Sequence, residues 1–178
     1  MATTYKDEAE IQEVVRQFEE CAYGLAEFTH ARHLTVACCY LCTSPPETAL
    51  VRMRQGLQHF LVHHGRQGYH ETITRFWMEL LGNFLAQPAG TATIVTKINC
   101  ALERYASKET LFEYYSRERV MSDIAKAKWI EPDLQPLSGS TASLPCENLT
   151  GGSQYLRQNL DEARPNSGIP GDNSNVSE

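Results

Sequence analysis

Apolar residues recur at every third or fourth position along most of the first 130 residues, and this spacing constrains the fold more than any other feature. The first such stripe consists of Ile11, Val14, Val15, Phe18, Ala22 and Leu25. No stretch alternates apolar and polar residues as a half-buried strand does. The sequence therefore predicts an all-α fold, a single-domain helical bundle of five to seven helices.

Prolines, glycines and capping residues set the ends of the predicted helices. The five long helices cover residues 7–23, 29–42, 46–64, 69–86 and 91–105. The Thr-Ile-Val-Thr start of the fifth segment is also compatible with a short strand. Two short helices are predicted at 108–115 and 117–128, and Trp129 and Ile130 are expected to dock back on the domain.

The second predicted helix is apolar nearly all round, which is typical of a central, buried helix. It contains a Cys-x-x-Cys pair, Cys39 and Cys42, in the middle of the helix. A redox pair of this spacing normally lies at a helix N-terminus after a strand, so we interpret these cysteines as small buried hydrophobes. The first ten residues lack the apolar stretch of a signal peptide, which predicts a cytoplasmic protein with mostly reduced thiols.

Composition changes after Pro132 to serine, glycine, asparagine, proline and acids. Most of the net charge of −6 lies there, since residues 131–178 hold seven acidic and two basic side chains. We therefore expect a helical bundle domain over 1–135 and a disordered acidic tail over 136–178. Nucleic acid is an unsuitable partner because no basic cluster exists. No apolar run approaches the roughly 20 residues of a membrane span.

All six histidines lie between positions 30 and 70, and this clustering marks the candidate site. His30 and His33 share the first turn of the second predicted helix. His64 ends the third, and His70 and Glu71 open the fourth. If consecutive helices are antiparallel neighbours, these side chains meet at one end of the bundle.

The preferred function is a small metal-dependent enzyme that acts on a small molecule. Its metal ligands would be His30, His33, His70 and His64, with Glu71 or Glu27 as an alternative fourth donor. Imidazoles with an open coordination position fit catalytic zinc or non-haem iron. His70 and Glu71 are the candidate catalytic residues, with Glu71 as ligand or base. Trp77 and Tyr40 are expected to line an apolar substrate pocket.

Other interpretations use the same residues. In a metal-free enzyme, His70 would act as a general base near neutral pH. In a non-catalytic module that binds a small ligand or a partner, the histidines would cap helices and form a polar network. A metal sensor or carrier is a third option. Arg75, four residues after Glu71, is predicted to pair with it, and His59 and His63 are expected at the surface.

Two segments together resemble a family of small, uncharacterised bacterial helical proteins. They are Phe-Thr-His-Ala-Arg-His-Leu-Thr-Val-Ala at 28–37 and Gly-Tyr-His-Glu-Thr-Ile-Thr at 68–74. Residues 114–119 and 131–134 are similar to the C-terminal part of that family, so the resemblance covers about residues 10–135. It implies a helical fold and directs attention to the two histidine segments. The family carries no established activity to transfer.

Overall fold

The computed structural model describes residues 3–88 and 90–137, and none of these residues lies in a strand. The helices are α1 (Glu8–Glu19), α2 (His30–Thr43), α3 (Pro46–His63), α4 (Glu71–Leu85), α5 (Ile94–Arg104), α6 (Leu111–Tyr114), α7 (Arg117–Val120) and α8 (Asp123–Ala127). A 3₁₀ turn, Lys108–Thr110, precedes α6. The all-α prediction is confirmed. The last predicted short helix is divided into α7 and α8, because the side chain of Ser122 caps α8 by accepting from the amide of Ala125.

Local signals at the helix ends explain most of the observed bounds. Asp7 caps α1 by accepting a hydrogen bond from the amide of Glu10 at 3.0 Å. Thr93 caps α5 in the same way, so the threonine-rich start of this segment is a helix cap and not a strand. Pro46 occupies the first turn of α3. Gly65 follows α3 with a φ of +62°, the left-handed conformation that glycine adopts without steric cost.

Helix α2 is the central element of the domain. Its residues 34–40 are all buried, and it packs against α1, α3, α4 and α5. The sequence predicted this position from the apolar character of the whole helix. Cys38 and Cys39 are buried free thiols within it, and burial raises the pKa of both. Both therefore pack as small hydrophobes, as expected for Cys39. The prediction of a buried thiol is wrong for Cys42, which lies near the end of the helix and is exposed.

Three aromatic rings fill the space between α1, α3 and the start of α2. Phe18 stacks on Phe28 at 4.6 Å between ring centroids and packs at 5.9 Å from Phe60. Helix α3 approaches Phe18 closely at Gly56, where an added Cβ would lie 2.7 Å from Phe18 Cε1. We call Phe18, Phe28, Phe60 and Gly56 the filled core, because this contact leaves no space for another carbon atom.

The chain after α8 docks on α4, as predicted for Trp129 and Ile130. The buried hydroxyl of Thr72 donates to the carbonyl of Lys128 at 2.8 Å and accepts from the amide of Ile130 at 3.2 Å. Tyr115 donates to the carbonyl of Ile130 at 2.7 Å. Leu137, the last described residue, is still buried. Beyond it, the predicted tail lies outside the described residues.

Over the described ranges, no helix combines the length and the apolar character that crossing a membrane requires.

Candidate functional site

A cavity of about 570 Å³ lies among α2, α3, α4 and the short helices near residues 108–121. Its walls are mostly apolar. The apolar wall residues include Leu34, Ala37, Met53, Leu57, Phe60, Ile73 and Trp77. The volume falls in the range of pockets that enclose small organic molecules. We call this space the helical cavity.

Three of the predicted metal ligands line the helical cavity: His30, His33 and His70. They come from the start of α2 and the start of α4, so the fold gathers these imidazoles around a common space. Two further polar side chains on the wall are Tyr69 and Thr74. The histidine-rich part of the sequence thus supplies five of the polar residues that line the mostly apolar cavity.

His70 is the N-cap of α4. Its Nδ1 accepts a hydrogen bond from the amide of Ile73 at 3.3 Å. Its Nε2 therefore carries the proton and donates to the carbonyl of Val120 at 2.9 Å. Burial lowers the pKa of His70 and keeps the ring neutral. With both ring nitrogens engaged, His70 would have to leave these bonds before it could bind a metal or accept a proton.

His30 connects α2 to the end of α5. Its Nε2 lies 3.1 Å from the carbonyl oxygen of Tyr105, to which it donates. The ring also packs edge-on against Trp77, at 4.8 Å between centroids. Burial lowers the pKa of His30, and the ammonium of Lys108 lowers it further. One ring nitrogen, Nδ1, is left as a neutral acceptor.

His33 differs from the other two histidines. Its ring packs against Phe28 at 4.0 Å between centroids. Burial lowers its pKa to about 4, and His30 contributes in the same direction. Within residues 3–88 and 90–137, neither nitrogen of this ring has a hydrogen-bond partner, whereas His30 and His70 each bond to a backbone carbonyl. His33 is therefore the cavity imidazole with both ring nitrogens unused, whereas His30 has one unused nitrogen and His70 has none.

His64 is not among the described residues that line the cavity, although it was a predicted ligand. It caps the C-terminus of α3, and its ring packs against Phe60 at 4.5 Å. Its Nε2 is buried and has no hydrogen-bond partner among the residues that the structure describes. His59 and His63 are exposed on the other face of α3, as predicted.

Glu71 is held in a clamp between α3 and α4. Arg54 on α3 donates to its carboxylate, with Nε at 2.9 Å from Oε2, and Tyr69 donates to the same oxygen at 2.8 Å. The bonds from Arg54 lower the pKa of Glu71. The predicted partner, Arg75, pairs instead with Glu79. Glu71 is thus tied to two side chains and is absent from the described cavity wall.

Tyr40, the other aromatic residue predicted for the pocket, faces away from it. Its hydroxyl donates to Glu19 on α1 at 2.7 Å, and the guanidinium of Arg52 lies 4.0 Å from its ring centroid. Trp77 does line the cavity, as expected. Tyr40 lies on α2, which is surrounded by other helices. Only one face of α2 lines the cavity, and Tyr40 lies on another face.

The residues at the outer rim of the cavity were not among those predicted from the sequence. They are Lys108, Glu109, Phe112, Arg117 and Met121. The guanidinium of Arg117 lies 4.0 Å from the ring centroid of Phe112 and 3.6 Å from Glu109. No local pattern distinguishes these residues from those of any short amphipathic helix, because their role depends on where the chain returns.

Across the described ranges, no group of three or more histidine, cysteine, aspartate or glutamate side chains has the arrangement to hold a metal ion. The individual contacts give the reason for the nearest candidates. His70 uses both ring nitrogens and His30 uses one in hydrogen bonds. Glu71, the expected carboxylate, is bound by Arg54. The donors approach the same space without converging on one point.

The candidate site is therefore a concave, mostly apolar cavity with a few polar groups on its wall, a form typical of small-molecule binding sites. Comparisons with protein-family models, with characterised proteins and with solved structures find no match to this chain. The resemblance to a bacterial helical family stays a prediction.

Proposed function

We propose that this protein binds a small, largely apolar molecule in the helical cavity, as a non-catalytic ligand-binding module. The observation that carries the proposal is the cavity itself, about 570 Å³ lined mainly by aliphatic and aromatic side chains. Protein interiors are close-packed, and a space of this size leaves apolar side chains exposed to water. A ligand that fills the cavity would bury that apolar surface.

The contacts of two histidines support a structural role for these residues in such a module. His70 joins the start of α4 to Val120, and His30 joins the start of α2 to Tyr105. Both bonds attach the segment that forms the cavity rim to the long helices. The nitrogens that make these bonds are not available to a ligand. The two rings therefore hold the cavity wall in place, and the ligand contacts mainly the apolar wall.

A metal-dependent enzyme with zinc or iron is the second candidate. It is favoured by one observation, that His30, His33 and His70 all line the cavity. Such a centre would require His70 to give up its bonds to Ile73 and Val120 before its nitrogens could bind an ion. The ligand-binding module requires no such rearrangement, and we therefore prefer it.

Titration with N-phenyl-1-naphthylamine, an uncharged apolar fluorophore, tests the proposal on the full chain. We expect saturable binding with one site per chain. Leu57→Trp places extra bulk in the cavity wall and should weaken the affinity at least about tenfold. The matched control is Val51→Trp on the same helix, since Val51 is exposed and outside the described wall. Its affinity should equal that of the wild type.

Two outcomes would contradict the proposal: no saturable binding to the wild-type protein, or equal weakening by both tryptophan variants. Metal analysis of the same preparations separates the second candidate. Stoichiometric zinc or iron that disappears in His33→Ala would support the metal enzyme instead. Chelator treatment that leaves fluorophore binding unchanged would support the ligand-binding module.

A further inference from the structure

The cavity wall contains one imidazole whose hydrogen-bonding groups are not used. His33 lines the cavity and packs on Phe28, and no bond to its ring nitrogens exists within the described ranges. His33 is only partly buried, so water can reach its ring nitrogens in the empty cavity. A ligand hydroxyl group could replace that water, whereas a purely apolar ligand would displace it and leave the ring nitrogens without a partner.

The charges around His33 restrict what such a ligand can carry. Among the described residues, His30 is the titratable group whose charge lowers the pKa of His33, and it is itself an imidazole whose pKa burial lowers. A charged ligand group beside it would be buried without a counter-charge, which is strongly unfavourable.

The charged groups of the site lie instead at its rim. Lys108, Glu109 and Arg117 are exposed, and Arg117 is already 3.6 Å from Glu109. They are therefore hydrated, and a ligand group that reached them would gain little over its contact with water. The inner wall is where a polar contact has the larger effect, because apolar side chains surround it.

A neutral imidazole offers one donor and one acceptor, and a hydroxyl group can bond to either. We infer that the ligand of the helical cavity is an uncharged apolar molecule that carries a hydroxyl group, which hydrogen-bonds to the ring of His33. This inference rests on the proposed function and adds the chemical class of its ligand. The apolar part of the molecule occupies the space lined by Ala37, Leu57 and Trp77.

Three matched probes test the inference by isothermal titration calorimetry at pH 7.5. They are 4-propylphenol, propylbenzene and 4-propylbenzoate, which share one apolar body. The phenol is uncharged at this pH because phenols ionise near pH 10, whereas the benzoate is anionic. We expect the phenol to bind about tenfold more tightly than propylbenzene, and the benzoate to show no such gain.

Variants of His33 test whether this ring causes the tighter binding of the phenol. His33→Phe should keep the packing on Phe28 and the binding of propylbenzene, and lose the preference for the phenol. His33→Gln, which retains a donor and an acceptor, should keep part of it. His63→Phe, at an exposed position on α3, should leave all three affinities unchanged. If His33→Phe does not fold, the ranking of the three probes on the wild type still decides the question.

Each failure has a distinct meaning. Equal binding of the phenol and propylbenzene by the wild type would overturn the hydroxyl inference and leave the proposed function standing. A preference for the benzoate would overturn it in favour of an anionic ligand held at the rim. If neither the three probes nor N-phenyl-1-naphthylamine binds, the proposed function itself fails.

Discussion

Phe28 and Phe60 have different surroundings on their two sides. Toward α1 they pack against Phe18 in the filled core, with centroid distances of 4.6 and 5.9 Å from it. Toward α4 the same two residues line the helical cavity. One pair of aromatic rings thus separates a region without spare volume from a region with about 570 Å³ of it.

The difference arises from what closes each region. The filled core is closed by a long helix, α3, which approaches Phe18 at Gly56 without an intervening side chain. The cavity is closed on its outer side by short helical segments near residues 108–121. Short segments are held by hydrogen bonds at a few points, such as His70 to Val120, and cannot fill the space below them. Close packing favours stability, whereas incomplete packing leaves the cavity open.

Acid should affect the cavity side most, and this is the largest effect we expect. Burial lowers the pKa of His33 from its usual 6.5 to about 4. Between these values the unfolded chain binds more protons than the folded protein, so stability falls as the pH drops. The free energy of unfolding should decrease by up to about 3 kcal/mol from pH 6.5 to pH 4. Urea denaturation at each pH measures it.

Variants again identify the responsible ring. His33→Phe should flatten this pH dependence, although a slope from His30 and His70 remains, because burial lowers their pKa values as well. His63→Phe should keep the wild-type slope, since His63 is exposed. A wild-type unfolding free energy that is the same at pH 6.5 and pH 4.5 would refute the prediction.

Adding the same two carbon atoms should destabilise the protein more at a packed position than at the cavity wall. Ala49 and Ala37 are both buried helical alanines, but only Ala37 lines the cavity. Ala49→Val should destabilise the protein by about 1–3 kcal/mol through overpacking. Ala37→Val should cost less than about 1 kcal/mol, the helix penalty of a β-branched residue, because its methyl groups enter the cavity. Thermal and urea unfolding measure the stability of both variants. Equal losses of unfolding free energy would argue against the cavity.

The smallest expected effects come from two helical glycines. A Cβ at Gly56 would lie 2.7 Å from Phe18 Cε1, whereas a Cβ at Gly82 would lie 3.8 Å from Leu41 Cδ2, an ordinary contact. Gly56→Ala should therefore lower the unfolding free energy by about 1 kcal/mol, after the helix gain is counted. Gly82→Ala should raise it by about 0.5–1 kcal/mol. Stabilisation by both substitutions would mean that Phe18 can move aside.

Much of the fold follows from local sequence. The positions of the five long helices, the buried character of α2 and the left-handed Gly65 after α3 all follow from helical spacing and end signals. The clustering of histidines also pointed to the region of the cavity, because consecutive helices connected by short turns bring their ends together. His30, His33 and His70 were predicted as site residues on this basis, and all three line the cavity.

The tertiary structure decided which partner each side chain meets. Glu71 pairs with Arg54 on α3 and not with Arg75 on its own helix, although the spacing favoured Arg75. His70 caps α4 and bonds to Val120, fifty residues later in the chain. Local spacing determines helices because their hydrogen bonds join residues four apart. Side-chain partners and cavity walls depend on contacts between helices that are far apart in the sequence. The helical spacing of apolar residues does not determine those contacts.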